Sequence, residues 1–200
     1  MKRIISEGII LAAAAAVSLP VSADTPGVKV EHLGVNNTLV RVDGDARYLL
    51  MPVQEANDDA RINILVDGKL DRTMYVRLAK SKTDYMVPFD LTPYKGKNVV
   101  LNILTSQGRT SVREASNDAC WSNFVLADTF DTANREKYRP AFHHTPLYGW
   151  MNDPNGMVYK DGVWTLCYQW NPYGSKWQNM TWGRSTSTDL VNWTHHDAAI

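Results

Sequence analysis

Short runs in which apolar and polar residues alternate, separated by turn sequences, constrain the fold of this 200-residue chain more than any other feature. Alternation with a period of two is typical of strands that bury one face. The clearest runs lie at residues 62–66, 74–78 and 99–103, and Asp-Gly at 67–68 marks a hairpin turn. Turn signals recur about every ten residues, and no long run has the helical period of 3.6. We therefore predict that residues 24–128 form an all-β, sandwich-like domain.

Charge and composition exclude several classes of protein. Lysine and arginine total 21, aspartate and glutamate total 21, and the formal net charge is therefore zero. This balance does not favour binding to a nucleic acid or to an anionic membrane, and an apolar fraction of 44% argues against disorder. Cys120 and Cys167 form no CxxC motif and no cluster with histidine. We predict two buried free thiols, no metal site and no cofactor.

The first 23 residues have the parts of an export signal. Lys2 and Arg3 precede an apolar, alanine-rich stretch at 9–19, and Val-Ser-Ala at 21–23 is typical of a cleavage site. The apolar stretch is too short to cross a bilayer as a helix, and no cysteine near the cleavage point supports a lipid anchor. We predict a signal peptide at 1–23 and an exported protein, periplasmic or extracellular, without a membrane anchor.

The second part of the chain is organised around Trp-Met-Asn-Asp-Pro-Asn-Gly at 150–156. Asp153, Pro154, Asn155 and Gly156 suit the four positions of a type I turn. Pro154 also favours extended backbone at the residue before it. Both effects restrict the backbone that carries the Asp153 carboxyl group, so we predict a turn with Asp153 at the end of a strand.

Four antiparallel strands are predicted from this point. Residues 157–159 and 163–168 form a hairpin closed by a tight turn at 160–162, residues 181–186 form a third strand, and a fourth begins at Trp193. Four such strands with tryptophans at their bends are the pattern of one propeller blade.

Two shorter segments lie between the predicted domain and this unit. Residues 129–138 are polar and are predicted to be a linker. His143 and His144 have no acidic partner at the spacing of metal ligands, which favours a structural role over a metal site.

Four motifs in order make the second part resemble glycoside hydrolase family 32, the family of invertases, levanases and inulinases. They are the sequence at 150–156, Tyr-Gln-Trp-Asn-Pro at 168–172, Met-Thr-Trp-Gly at 180–183 and Ser-Thr-Asp-Leu-Val-Asn-Trp at 187–193. The resemblance covers residues 139–200 and implies the first blade of a five-bladed β-propeller that is incomplete in this chain. The β-rich region before it is similar to the extra N-terminal domain of Bacteroides-type fructan hydrolases.

The resemblance also implies a reaction, the hydrolysis of β-fructosyl linkages in fructans or sucrose with retention of configuration. Asp153 matches the family's nucleophile, while Asn152 and Gln169 match residues that hydrogen-bond the sugar. Trp177 matches an aromatic wall of the subsite for the terminal fructose. The family's acid/base glutamate precedes a cysteine in a later blade, and that motif does not occur in these residues.

Several of these aromatic and amide residues have structural interpretations as well. Gln169 would suit a strand in which it caps its neighbours, and Trp177 would equally suit a core. Trp164 and Trp182 we assign to the core. In the N-terminal region four tyrosines could form a platform for sugar stacking, namely Tyr48, Tyr75, Tyr85 and Tyr94. Strand tyrosines more often pack, and all seven tryptophans lie at residue 121 or beyond, so we favour a packing domain that shields its neighbour.

Three functions remain open once the resemblance is taken into account. The first is the N-terminal fragment of a secreted fructan hydrolase, inactive by itself because it has half a catalytic pair. The second is a non-catalytic, truncated carbohydrate-binding or structural β protein. The third, a propeller glycosidase acting on arabinose or xylose polymers, fits the sequence at 150–156 less well. Thr181 and Arg184 stand where many family members have histidines, so the choice among sucrose, levan and inulin stays open, as do endo or exo action and oligomeric state.

Overall fold

The computed structural model describes residues 25–106, 108–132 and 139–200, which form antiparallel strands with little helix. The strands are β1 (Val28–Gly34), β2 (Asn37–Val42), β3 (Tyr48–Val53), β4 (Ala60–Val66), β5 (Lys69–Val76), β6 (Tyr85–Asp90), β7 (Val99–Leu104), β8 (Val125–Ala127), β9 (Trp150–Lys160), β10 (Val163–Asn171), β11 (Thr181–Ser187) and β12 (Thr194–His196). One helical turn, α1 (Val112–Ala115), and two 3₁₀ turns, Thr92–Tyr94 and Ala119–Ser122, complete the described elements. The all-β prediction is confirmed. The predicted signal peptide and residues 133–138 of the predicted linker lie outside the described residues.

Two antiparallel sheets form the N-terminal sandwich. One has the strand order β1-β2-β7-β4-β5, and the other has the order β6-β3-β8. Alternate residues of both sheets are completely buried and share one core, because each sheet presents its apolar face to the other. The largest of these side chains are Phe89, Leu49, Met51, Ile62, Ile64, Met74, Leu101 and Ile103. The predicted alternation at 62–66 and 99–103 therefore marks the strands of the larger sheet.

Two hairpins have the turn that their sequences predict. Asp67-Gly68 joins β4 to β5, and Asp161-Gly162 joins β9 to β10. The backbone φ angles are 50° and 78° in the first turn and 51° and 81° in the second. Positive φ at both central residues is the requirement of a type I′ turn, whose twist matches that of the strands it joins.

A buried ion pair lies at the end of the sandwich near α1. Arg109 Nη2 contacts Asp118 Oδ2, and the two side chains are 4% and 6% exposed. Burial raises the pKa of the Asp118 carboxyl group, an effect that the guanidinium of Arg109 opposes.

The two cysteines differ in their burial. Cys120 is a buried free thiol, as predicted, whereas Cys167 is free but only half-buried. The prediction of complete burial was wrong for Cys167 because it lies in β10, which has a half-buried face.

The four strands of the second part form one sheet in sequential order, β12-β11-β10-β9, all antiparallel. This is the predicted blade arrangement. The predicted turn at 153–156 was wrong, because β9 runs through it from Trp150 to Lys160. Pro154 is tolerated there for two reasons: β9 is an edge strand of the described sheet, and its pairing is interrupted by bulges.

The tyrosines of the sandwich serve mainly as packing and hydrogen-bonding residues. Tyr94 is buried, and its hydroxyl donates to Asp71 Oδ2 at 2.7 Å while accepting from Arg72 Nη2 at 2.6 Å. The hydroxyl of Tyr85 donates to Glu55 Oε1.

Among the described residues, no helix has the length and apolar character needed to cross a membrane.

Candidate active site

Two bulges in β9 shape the candidate site. Tyr168 of β10 pairs with Pro154, and Trp170 pairs with Met151. Two residues of β9, Asn152 and Asp153, therefore lie opposite the single residue Gln169. Bulges of this kind bend the strand and re-aim side chains, and they are frequent beside active sites.

The first bulge brings three of the predicted site residues together. Asn152 Nδ2 donates to Gln169 Oε1 at 2.7 Å, so the two amides hold each other across the strands. The side chain of Asp153, the remaining residue of the bulge, is exposed. Asn152 Oδ1 and Gln169 Nε2 make no other hydrogen bond within the described part of the chain. The arrangement therefore presents a carboxylate beside one amide acceptor and one amide donor, a set that suits a ligand rich in hydroxyl groups.

The second bulge adds a contact that the sequence did not reveal. Gly156 pairs with Cys167 and Pro154 pairs with Tyr168, which leaves Asn155 as the extra residue. The side-chain amide of Asn155 is oriented so that its oxygen faces the neighbouring N–H donors. In this orientation Asn155 Oδ1 accepts from the indole Nε1 of Trp182 at 2.9 Å.

The tryptophans assigned to the core by sequence lie elsewhere. Trp182 is 41% exposed and pairs across the sheet with Gln169, which places it beside the bulge residues. Trp164 is half-buried, with its ring 4.7 Å from that of Tyr159. The core assignment was wrong for both residues. The strand register between β10 and β11 would have shown the position of Trp182, but no turn sequence fixes that register across a nine-residue connection.

Trp177 lies on the loop that joins β10 to β11, residues 172–180, here named the site loop. Its side chain is 62% exposed, so it lies outside the core formed by the described residues. The loop leaves β10 at Asn171, which pairs with Trp150, so it begins at the end of the sheet that carries Asp153. Sequence alone gave Trp177 two equal interpretations, and its exposure favours the one in which it faces a ligand.

The other carboxylates of this sheet lie far from Asp153. Asp161 lies in the turn after β9, eight residues beyond Asp153 and therefore roughly 26 Å away. Asp189 follows Ser187, which pairs with Trp164 near the hairpin end. Hydrogen bonds from Asn192 and from the Val191 backbone hold the pKa of Asp189 well below its usual range, as suits a turn residue. Asp197 follows β12 on the opposite edge, three strand spacings or roughly 14 Å from β9. Within the described sheet, Asp153 is the one carboxylate at the site.

His144 packs into the sheet. Its Nε2 lies 2.9 Å from Ser185 Oγ, and its ring contacts those of Tyr168, Trp193 and His195. Burial, with smaller effects from His195 and Arg139, lowers the pKa of His144 to about 4, so the ring is neutral at pH 7. The residues that the structure describes contain no group of three or more His, Cys, Asp or Glu side chains placed to hold a metal ion.

Comparisons with known proteins find a matching family for each part of the chain. Residues 34–142 match a family described as "Domain of unknown function (DUF4980)", and residues 143–200 match the family described as "Glycosyl hydrolases family 32 N-terminal domain".

Three relatives of this chain have the names of enzymes. The levanase of Bacillus subtilis is 54% identical over 65 residues, which are 32% of this chain and 10% of the levanase. An insoluble isoenzyme of beta-fructofuranosidase from Arabidopsis thaliana is 56% identical over 66 residues, 32% of this chain and 11% of the relative. The fructan 6-exohydrolase of Triticum aestivum is 52% identical over 64 residues, 31% of this chain and 11% of the relative. This chain thus spans about a tenth of the length of these curated relatives.

Two solved structures are also similar. The exo-inulinase of Aspergillus awamori has 39% sequence identity and a TM-score of 0.33, covering 36% of this chain and 13% of the inulinase. A glycoside hydrolase family 32 protein of Bifidobacterium adolescentis has 23% identity and a TM-score of 0.34, covering 78% of this chain and 26% of that protein. On the family matches, this chain belongs to the DUF4980 family through residues 34–142, and its residues 143–200 are similar to the N-terminal domain of glycosyl hydrolases family 32.

Proposed function

We propose that this chain supplies the nucleophile half of the active site of an exported, retaining β-fructosidase that acts on fructans or sucrose. The observation that carries the proposal is the first bulge of β9, where the exposed Asp153 lies beside the hydrogen-bonded amides of Asn152 and Gln169. This bulge lies within the segment that matches family 32, whose relatives include a levanase and a beta-fructofuranosidase.

Hydrolysis with retention needs two carboxyl groups about 5 Å apart. In the proposed first step the Asp153 carboxylate attacks C2 of the fructosyl unit, and the bond from C2 to the glycosidic oxygen breaks. The leaving oxygen takes a proton from the second carboxyl group. In the second step a water molecule gives a proton to that group and attacks C2, which releases fructose and restores the Asp153 carboxylate.

Asp153 suits the role of nucleophile because its backbone is held on both sides. Met151 and Pro154 are fixed by their pairing with β10, and Pro154 also restricts its own φ and the conformation of the residue before it. A carboxylate on such a backbone loses little conformational freedom when it approaches C2.

Asn152, Gln169 and Trp177 are proposed to bind the sugar. The free amide oxygen of Asn152 and the free amide nitrogen of Gln169 would pair with hydroxyl groups of the fructosyl ring. The exposed indole of Trp177 would cover an apolar face of that ring. Trp182 and Asn155 support these residues from the next strand and the second bulge.

The second carboxyl group is proposed to come from outside the sheet described here, since Asp161, Asp189 and Asp197 lie too far from Asp153.

The proposed division of the chain is an export signal at 1–23, a sandwich at 24–128, a linker at 129–138 and propeller residues at 139–200. A non-catalytic carbohydrate-binding protein is the alternative, and it would use the same amides and indoles without turnover.

The test is the release of fructose from levan, inulin and sucrose by the full-length protein that contains these 200 residues. The Asp153→Asn variant should lose turnover by a factor of at least about 10³ while keeping its fold and its affinity for fructan. Asp161→Asn, an exposed aspartate of the same strand pair, is the matched control and should keep wild-type activity. Near-normal turnover by Asp153→Asn would overturn the assignment, and fructan binding without turnover by the wild type would favour the alternative.

A further inference from the structure

The site loop, residues 172–180, is held by the sandwich as well as by its own sheet. Tyr173, near the start of the loop, packs against the core of the sandwich. Ser175 and Asn179 hydrogen-bond to residues of the sandwich on either side of Trp177. The loop that carries the exposed indole is therefore attached to the DUF4980 domain at three points.

Asn179 makes the first polar attachment, to the edge strand β5. Its Nδ2 donates to Tyr75 O at 2.7 Å, and its Oδ1 accepts from Tyr75 N at 2.7 Å. One side-chain amide thus satisfies both backbone groups of an edge residue, as the backbone of a neighbouring strand would. The φ angle of Asn179 is 45°, a conformation that asparagine adopts more readily than most residues.

Ser175 makes the second polar attachment, to an ion pair whose arginine is buried and whose glutamate is 37% exposed. Arg77 is 6% exposed, and its Nη1 lies 2.7 Å from Glu55 Oε2. The hydroxyl of Ser175 accepts from Arg77 Nη2 at 2.9 Å and donates to Glu55 Oε2 at 2.7 Å. Although burial acts to raise it, the pKa of Glu55 is lowered by hydrogen bonds from Tyr85 and Ser175 and by the charge of Arg77. Glu55 is therefore ionised at neutral pH, and the loop residue completes a charged network of the sandwich.

Asn171 transmits these attachments to the backbone beside Trp177. It is 2% exposed, and its Nδ2 donates to Lys176 O at 2.8 Å. Its Oδ1 accepts from Tyr173 N at 3.0 Å and from Asn179 Nδ2 at 3.2 Å. A continuous set of hydrogen bonds therefore runs from the edge strand of the sandwich through Asn179 and Asn171 to the residue before Trp177.

We propose that the DUF4980 domain is a positioning domain for the sugar subsite, and that it fixes the site loop through Asn179, Ser175 and Arg77 so that Trp177 is presented to the fructosyl ring. The inference rests on the proposed function, which places Trp177 in that subsite. Arg77 and Asn179 are positioning residues, because they act on the sugar through the loop. An indole that covers the sugar equally in the ground state and in the transition state contributes to KM rather than to kcat.

The test combines hydrogen exchange and kinetics on the full-length protein. Asn179→Asp keeps the acceptor for Tyr75 N and a residue type that tolerates positive φ, but it replaces the donor to Tyr75 O by a second oxygen. Arg77→Lys keeps the charge beside Glu55 and loses the planar fork that also reaches Ser175. Arg109→Lys alters the ion pair of Arg109 with Asp118, whose described contacts do not include the site loop, and is the matched control.

Both test variants should speed amide exchange in residues 172–180 by about 2- to 10-fold, the effect of roughly one lost hydrogen bond. They should raise KM for levan or inulin by a similar factor while kcat changes less than about twofold. The control should leave both quantities at wild-type values. Faster exchange with unchanged KM, or unchanged exchange, would overturn the positioning role while leaving the proposed function intact. A wild-type protein without activity on any fructoside would overturn the proposed function, whatever the exchange of the loop.

Discussion

Gly149 precedes β9 and lies close to the end of β10 and the first residue of the site loop, and comparison with Gly162 separates the effect of this close contact from that of backbone strain. Their φ angles are nearly equal, 75° and 81°. A methyl group on Gly149 would overlap the Asn171 carbonyl oxygen and lie 3.0 Å from Pro172 Cα, whereas a methyl group on Gly162 would meet nothing within 4 Å. A left-handed conformation costs an alanine about 1–2 kcal/mol. Overpacking against backbone atoms costs a further ~1–3 kcal/mol.

Gly149→Ala should therefore destabilise by about 2–5 kcal/mol and Gly162→Ala by about 1–2 kcal/mol. Urea unfolding followed by tryptophan fluorescence reports on this region, because six of the seven tryptophans lie at residue 150 or later. With an m value of about 2 kcal/mol/M, the midpoint for Gly149→Ala should lie roughly 0.5–1.5 M below that for Gly162→Ala. Equal midpoints would refute the argument that glycine is required at residue 149 by its close approach to Asn171.

Three further predictions concern other parts of the molecule. Asp118→Ala should cost about 3–5 kcal/mol in urea unfolding, because it leaves the Arg109 guanidinium buried and unpaired, and a loss below ~1 kcal/mol would contradict this. The pKa of His144 is about 4 in the folded protein and 6.5 in the unfolded chain, so between these pH values the unfolded state binds more protons. The free energy of unfolding should therefore fall as the pH is lowered from 6.5 to 4. His144→Gln should flatten that slope, measured by urea midpoints across the range, and an unchanged slope would assign it to other groups. Trp177→Ala should raise KM for fructan about 10-fold or more with kcat less affected, and an unchanged KM in initial-rate assays would exclude the indole from the subsite.

The strands and hairpins of this protein could be predicted from the sequence because their signals are local. Alternation at 62–66 and 99–103 reflects one buried face, and Asp67-Gly68 and Asp161-Gly162 supply the positive φ angles that their turns need. The position of Trp177 on an exposed loop was one of two interpretations, and the structure distinguishes between them.

The bulges of β9 could not be predicted from the sequence, because they depend on pairing with another strand. Asp153 and Pro154 have strong local preferences for a turn, yet an edge strand with bulged pairing accommodates both residues. The exposure of Trp182 depends in the same way on its register with Gln169. The attachment of Asn179 to Tyr75 joins residues 104 positions apart, and no local pattern predicts such a contact.

The role of Asp153 as nucleophile is tested most directly by trapping the covalent intermediate. The full-length protein is mixed with levan or sucrose, quenched in acid during turnover and digested, and the peptide that contains residues 150–160 is analysed by mass spectrometry. We expect this peptide to gain the mass of one fructosyl residue, attached at Asp153, and to remain unmodified in Asp153→Asn. A fructosyl group on another peptide, or turnover with no covalent adduct at any residue, would contradict the assignment.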